Sequence, residues 1–298
     1  MFDTDHAPAP PDAPLARVIP FGMEATVSYG GGTARGPAAI IAAAPQVELF
    51  DEELWCEPIR AFRLETADEP EVPRRAEDAL AMLEGMVETA LADGAFPLTL
   101  GGEHAITPGA IRPLVRRHPN LALLHFDAHA DLRDGYEGEP YSHAAALRRC
   151  LDQPGHEGVS VVSLGIRNIS RGEVPYLEAN RDRISMFWAK DRAEWDMAAI
   201  LSRLRGRPVY VTVDVDGFDG SVMPATGTPE PGGLTWDDVV GVLRAAAELG
   251  PWVGADINEL APRPELHACD FLCAKLAYKI LGYRFALKTG ARIAEDGG

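Results

Sequence analysis

Residues 121–131 read LALLHFDAHAD, and this stretch carries the clearest fold signal in the sequence. Residues 121–126 are mostly apolar, as in a strand that is buried on both faces of a parallel sheet. Asp127, His129 and Asp131 follow at a spacing of two, which places all three side chains on one side of an extended chain. Open α/β sheets bind their ligands beyond the carboxyl ends of the strands. The stretch therefore predicts a strand with a binding site at its end.

Short apolar segments alternate with longer amphipathic segments on both sides of this stretch. The predicted strands are residues 97–100, 121–126, 159–164, 184–187, 209–213 and 252–255. The predicted helices are residues 74–92, 106–118, 143–151, 197–205, 236–249 and 269–281. Thr235 and Asp238 have the spacing of a capping box, which marks the start of one of these helices. This alternation predicts an α/β fold with a mostly parallel central sheet and helices on both faces.

The chain shows no internal repeat and no linker, so we expect one catalytic domain over residues 15–298. Residues 1–14 are rich in Pro, Asp and Ala and are expected to form a flexible N-terminal tail. This start has neither the basic nor the apolar segment of a signal peptide, and no run approaches the roughly 18 apolar residues of a membrane span. We therefore expect a cytoplasmic protein.

The composition of the chain bears on its partners. Its formal net charge is −17 over 298 residues. A surface this acidic repels nucleic acids and anionic membranes, so we expect neither as a partner. It attracts small cations instead.

Two further strand ends carry metal-ligand side chains. His104 follows a glycine pair after the strand at residues 97–100, and Asp214 and Asp216 follow the strand at residues 209–213. The candidate ligands are thus His104, Asp127, His129, Asp131, Asp214 and Asp216. Carboxylates crowded at one rim need compensating cations, and an oxygen-rich set with imidazoles suits two Mn²⁺ ions that activate a water molecule. A lone DxD after a strand is usually a solvated loop or a helix cap, but three such strand ends favour the metal site.

These motifs resemble the signatures of the arginase/agmatinase (ureohydrolase) family. The matching stretches are residues 101–104 (GGEH), 126–131 (FDAHAD), 214–219 (DVDGFD), 224–229 (PATGTP) and, early in the chain, 32–37 (GTARGP). The resemblance runs from about Pro20 to Tyr283. It implies an arginase-like three-layer sandwich and an assembly of three or six identical subunits. Two positions depart from the usual family pattern, Glu103 and Gly220, and both concern loop geometry.

The resemblance also implies roles for individual residues. One Mn²⁺ ion would be held by His104, Asp127, Asp131 and Asp214, and the second by Asp127, His129, Asp214 and Asp216. Glu259, in the stretch DINELAP at residues 256–262, would bind the guanidinium group of the substrate. His143 would shuttle protons, and Asp131 would pass one to the leaving amine. By contrast, we interpret His125 as a supporting histidine and Asp219 as a loop residue.

The resemblance implies hydrolysis of a guanidino group to urea and an amine. We expect a small cationic substrate, with agmatine first, because the loop at residues 132–139 carries three acids and a single arginine, Arg133. Aminopropylagmatine, guanidinobutyrate and arginine are alternatives within the family. A zinc polyamine deacetylase and a metal-binding relative without activity are alternatives outside it. Urea release in the presence of manganese would distinguish these classes.

Overall fold

A sheet of eight parallel strands forms the centre of the protein in the computed structural model, which describes residues 1–2 and 9–289. The strands are β1 (Leu15–Phe21), β2 (Arg63–Thr66), β3 (Phe96–Gly101), β4 (Ala122–Phe126), β5 (Ser160–Ile166), β6 (Ile184–Trp188), β7 (Val209–Asp214) and β8 (Trp252–Asn258). Their order across the sheet is β2-β1-β3-β8-β7-β4-β5-β6. The predicted parallel sheet is confirmed, since every pair of neighbouring strands runs in the same direction.

Helices cover both faces of this sheet. They are α1 (Gly36–Ala43), α2 (Ala76–Ala92), α3 (Thr107–Arg117), α4 (Ala146–Leu151), α5 (Val174–Ala179), α6 (Met197–Ser202), α7 (Trp236–Leu249) and α8 (His267–Phe285). Helices α1, α6, α7 and α8 pack on one face, and α2, α3, α4 and α5 pack on the other. The three-layer α/β sandwich expected from the sequence is therefore confirmed.

Successive residues of a central strand supply the cores of both layers. In β4, Leu124 joins the core beneath α7 and α8, whereas Leu123 joins the core beneath α2 and α3. Every residue of β4 is buried, which explains why its sequence is apolar apart from His125 and does not alternate. Each buried leucine stabilises the fold by about 1.5–3 kcal/mol relative to an exposed one.

The sequence did not reveal β1, β2, α1 and α5. Arg17 interrupts the apolar pattern of β1, and it extends from the sheet to pair with Glu65 at 2.7 Å and Asp93 at 2.5 Å. Strand β2 is a four-residue edge strand and is largely exposed, so it has no apolar pattern to detect.

The N-terminal segment is described in part. Residues 3–8 of the predicted flexible tail lie outside the described residues. Phe2 is buried, and its ring lies 4.9 Å from that of Tyr278, centroid to centroid. Within residues 1–2 and 9–289, no helix is long and apolar enough to cross a membrane.

Candidate active site

Four adjacent strands in the middle of the sheet deliver the candidate ligands to one edge. Because β3, β8, β7 and β4 are parallel neighbours, their carboxyl ends meet there. The residues that follow them are His104 after β3, Glu259 after β8, Asp214 and Asp216 at the end of β7, and Asp127, His129 and Asp131 after β4. The structure thus brings together all the ligands predicted from the sequence.

The first cluster surrounds one imidazole nitrogen. His104 Nδ1 lies 3.1 Å from Asp127 Oδ2, 3.1 Å from Asp131 Oδ2 and 3.4 Å from Asp214 Oδ2. The other ring nitrogen of His104 is 2.9 Å from the hydroxyl of Thr212, which fixes the orientation of the ring. Convergence of three carboxylates on Nδ1 is the arrangement expected around a divalent cation, with carboxylate and imidazole ligands that suit manganese.

The second cluster shares Asp127 with the first. His129 Nδ1 lies 3.0 Å from Asp216 Oδ2 and 3.6 Å from Asp127 Oδ1. Ligand atoms of Asp127, His129 and Asp216 all lie within 4.8 Å of one another, as do those of His104, His125 and Asp127. His125 contacts Ser163 Oγ at 2.9 Å through one ring nitrogen and Asp127 Oδ2 at 2.8 Å through the other, so it helps to fix the Asp127 carboxylate. The residues therefore fit two adjacent ions that have Asp127 in common.

Burial and like charge make the pKa values of these carboxyls diverge. Burial, together with the neighbouring Asp127, raises the pKa of Asp131 to about 7. The pKa of Asp214 is raised well above its usual range by burial and by Asp216 and Asp127. Burial opposes ionisation of Asp127 as well, but hydrogen bonds from His104, His125 and His129 outweigh it and hold its pKa well below the usual range. Such a cluster gathers protons unless cations take their place.

Two acids of the site occupy left-handed backbone conformations. The φ angle is +51° at Asp131 and +69° at Glu259. Such a conformation costs an ordinary residue on the order of 1–3 kcal/mol, so surrounding contacts must enforce it. The Glu259 N–H donates to the Gly102 carbonyl at 2.7 Å, and Glu259 Oε1 accepts from the His104 N–H at 2.7 Å. These bonds link Glu259, the residue expected to bind the substrate guanidinium, directly to His104, a candidate metal ligand.

A cavity of about 260 Å³ opens onto the two clusters. Its carboxylate-bearing lining residues are Asp131, Glu173, Asp214, Asp216, Glu230 and Glu259. Arg133 is the one arginine or lysine among the described lining residues, and its guanidinium lies 4.9 Å from the ring centre of Tyr136. His143 also lines the cavity, and its pKa is lowered by burial and by the nearby His129. The cavity is therefore suited to a cation.

Comparison with known proteins places this site in a family. A family model described as "Arginase family" matches residues 15–282. The chain belongs to the arginase family. It is 37% identical over 276 residues to the N(1)-aminopropylagmatine ureohydrolase of Synechocystis sp., covering 89% of this chain and 88% of that protein. It is 36% identical over 250 residues to the agmatinase of Bacillus anthracis, covering 83% and 84%.

Solved structures agree with this membership. The agmatine ureohydrolase of Thermoplasma volcanium has a TM-score of 0.78 at 30% identity, covering 92% of this chain and 90% of that chain. The proclavaminate amidino hydrolase of Streptomyces clavuligerus has a TM-score of 0.84 at 26% identity, covering 94% of each chain. The prediction of an arginase-family ureohydrolase with an arginase-like fold is confirmed. The roles assigned to individual site residues stay predictions.

Some residues that shape this arginase-family site gave no recognisable signal in the sequence. Arg167, on the loop after β5, donates to five backbone carbonyls, those of Gly165, Asp216, Gly217, Phe218 and Glu230. It thereby joins the loop that carries Asp216 to the loop that carries Glu230. Glu173 is buried and accepts from the backbone N–H groups of Leu132 and Ser170 at 2.9 and 2.6 Å. These contacts connect segments far apart in the chain, so motif spacing does not reveal them.

We interpret Asp219 from the sequence as a loop residue, and Gly220 departs there from the usual family pattern. Both lie on a turn that is held by several hydrogen bonds. The Asp219 carboxylate accepts from the N–H groups of Ser221, Gly232 and Gly233 at 2.8–3.0 Å. The Ser221 hydroxyl also donates to this carboxylate, and its bond together with the backbone N–H bonds holds the pKa of Asp219 below the usual range. Asp219 is thus occupied in holding its loop, as the sequence suggested.

Proposed function

We propose that the protein hydrolyses a small cationic guanidine without a carboxylate to urea and an amine, with agmatine as the first candidate and aminopropylagmatine as the second. The observation that carries this proposal is the lining of the cavity, in which six acidic side chains face a single arginine. Relatives named for both substrates have nearly equal identity to this chain, 37% and 36%. Sequence identity therefore does not separate the two candidates.

Two Mn²⁺ ions per subunit are part of the proposal. His104, Asp127, Asp131 and Asp214 would hold one, and Asp127, His129, Asp214 and Asp216 the other. When bound, the ions would lower the pKa of a water molecule so that it can act as the nucleophile at neutral pH. The support for two ions is that Asp127 presents Oδ2 to His104 and Oδ1 toward His129.

The remaining steps belong to side chains of the chain itself. One oxygen of Glu259 is bonded to the His104 N–H, which leaves the other to pair with the substrate guanidinium and orient its carbon. Asp131, whose carboxylate lines the cavity, is placed to pass a proton to the departing amine. His143, on the cavity wall, would exchange protons between the site and bulk water.

The proposal extends to the setting of the enzyme. We place it in the cytoplasm as a homotrimer or homohexamer. The family resemblance supports the assembly. Sedimentation of the purified protein at several concentrations would test the subunit number.

Urea release from a panel of guanidines tests the substrate. The Mn²⁺-loaded protein would be assayed with agmatine, aminopropylagmatine, arginine and guanidinobutyrate in one buffer. We expect agmatine or its aminopropyl form to lead in kcat/KM by at least about tenfold, the effect of one misplaced charged group. A lead for arginine or guanidinobutyrate would overturn the substrate proposal while leaving the metal site intact.

Guanidinobutyrate is the competing substrate that needs a separate test, because Arg133 could pair with its carboxylate. The Arg133→Met variant separates the two cases. If Arg133 binds a carboxylate, this variant loses guanidinobutyrate hydrolysis selectively. If the substrate is a cation, agmatine hydrolysis in the same variant stays equal or rises.

A further inference from the structure

Glu103 is a buried glutamate next to the candidate metal ligand His104, and the mechanism proposed above gives it no role. Glu103 is fully buried at the start of the 3-10 turn His104–Ile106. Its described partners are all donors of one short loop: Oε1 accepts from the Ala25 N–H at 3.1 Å, and Oε2 accepts from the Thr26 N–H at 2.8 Å. The Thr26 N–H points directly at Oε2, so this oxygen is an acceptor, and the Thr26 hydroxyl is the donor in its bond with Oε2.

The hydroxyl of Thr26 connects Glu103 to His143. It donates its single hydrogen to Glu103 Oε2 at 2.9 Å. The same oxygen accepts from the His143 backbone N–H at 3.0 Å and lies 3.1 Å from His143 Nδ1. A threonine oxygen has one hydrogen to give and two lone pairs to receive with. Since the hydrogen goes to Glu103, Thr26 is an acceptor toward the backbone nitrogen and Nδ1 of His143.

We propose that Thr26 and Glu103 are positioning residues that hold His143 in the tautomer with hydrogen on Nδ1, leaving Nε2 free to accept a proton from the cavity. The inference rests on the proposed function, in which His143 exchanges protons. The ring is further restrained by Tyr136, which meets it nearly edge-on at 79° with centroids 6.1 Å apart. Without the Thr26 hydroxyl, the ring can rotate or change tautomer, and Nε2 is presented only part of the time.

The proposal separates turnover from binding. Thr26→Val removes the hydroxyl at nearly constant volume, and Thr26→Ser keeps it. In the Mn²⁺-loaded enzyme, with the best substrate of the guanidine panel, Thr26→Val should lower kcat by about tenfold or more, within the 10²–10⁴-fold that a general acid–base group contributes. KM and metal content should stay within about twofold, and Thr26→Ser should restore most of the rate.

A double variant distinguishes positioning from a general role in loop stability. If Thr26 acts through His143, Thr26→Val should slow the His143→Ala enzyme no further. Unchanged turnover in Thr26→Val would overturn the proposal, and so would an additional loss in the double variant or a failure of Thr26→Ser to rescue.

A second readout needs no substrate. In protein labelled with [¹⁵N]histidine and loaded with diamagnetic Mg²⁺, the His143 ring should show Nδ1–H and an unprotonated Nε2, with the signal assigned by its loss in His143→Ala. Thr26→Val should shift it toward a mixture of tautomers. The opposite tautomer in the unmodified protein would overturn the inference. If no guanidine releases urea, the proposed function fails, and this measurement still decides the tautomer.

Discussion

Asp214 at the end of β7 and Asp216 just after it each use their two carboxylate oxygens for different contacts. Asp214 Oδ1 accepts from the Asp216 N–H at 2.9 Å, and its Oδ2 faces His104. Asp216 Oδ1 accepts from the Ala128 N–H at 3.0 Å, and its Oδ2 faces His129. One oxygen thus secures the loop while the other is held toward the cluster. An asparagine at such a position keeps one acceptor but loses the charge that a metal ion requires.

Asp216→Asn and Asp219→Asn form a matched pair that tests the ligand assignment. Removal of a residue that merely supports a ligand typically weakens metal affinity or activity by about 10–100-fold. Loss of Asp216, a proposed direct ligand, should therefore lower turnover by about 100-fold or more. One ion per subunit should also be lost. Asp219→Asn should keep both ions, because its carboxylate holds only its own loop. Elemental analysis and urea release measure both variants, and equal metal content and activity would contradict the assignment.

The candidate metal ligands could be predicted from the sequence because each lies within five residues of a strand end, in a motif with regular spacing. Glu103, Thr26 and Arg167 could not be predicted in the same way. The Glu103 carboxylate bonds to Thr26, 77 residues earlier, and Arg167 reaches carbonyls up to 63 residues away. Hydrogen bonds between distant loops leave no periodic trace in a sequence.

Among the elements, helix α8 packs one side of the sandwich and carries a buried cation. Lys279 is 2% exposed, and its Nζ lies 2.8 Å from Asp51 Oδ2 and 3.1 Å from Glu53 Oε2. The helix is buried over most of its second half, so a lysine in that stretch must be paired. The sequence indicated the helix but not the partner, because Asp51 precedes Lys279 by 228 residues.

Lys279→Met should destabilise the fold without changing the active site. It leaves Asp51, a 1% exposed carboxylate, without its cation, and breaking a buried pair in this way costs about 3–5 kcal/mol. Urea denaturation measures the loss as a lower midpoint. The double variant Lys279→Met/Asp51→Asn removes both charges and should recover much of the stability. A single variant as stable as the unmodified protein would contradict this account of α8.

The same pair sets a pH dependence. Burial opposes ionisation of Asp51, but the hydrogen bond and charge of Lys279 and the N–H groups of Leu54 and Glu53 together outweigh burial and hold the pKa of Asp51 below its usual range. The folded state therefore binds fewer protons at this site than the unfolded chain does. The stabilisation is present at neutral pH and is lost as the pH falls below about 4, through the depressed pKa of Asp51. Lys279→Met should accordingly differ least from the unmodified protein in acid.

Over the whole molecule, acidity and the metal site belong to one electrostatic arrangement. The chain carries 45 acidic and 28 basic residues, and part of the acidic excess converges on the central edge of the sheet. Parallel strands create this convergence, because adjacent carboxyl ends bring together carboxylates that are far apart in sequence. The fold tolerates the concentration of charge only with protons or cations among the carboxylates. The stability of the whole protein should therefore respond to manganese and to pH together.

Mn²⁺ should raise the melting temperature more at pH 8 than at pH 6. In the metal-free protein the pKa of Asp131 is raised to about 7, by burial and by Asp127, so the folded state binds a proton there that the unfolded chain has already released. That contribution to stability is present below the usual pKa of about 4 and is lost as the pH rises through about 7. Mn²⁺ competes with the same proton, so it binds more tightly, and stabilises more, as the pH rises. Free Mn²⁺ at 100 times its Kd stabilises the folded protein by about 2.7 kcal/mol.

Calorimetry of the metal-free and the Mn²⁺-loaded protein at both pH values gives the increase in melting temperature caused by Mn²⁺. Groups that titrate alike in both forms do not contribute to this increase. Asp216→Asn should show a smaller difference at each pH, and a difference that is constant or narrower at pH 8 would show that the ions do not replace protons at this cluster.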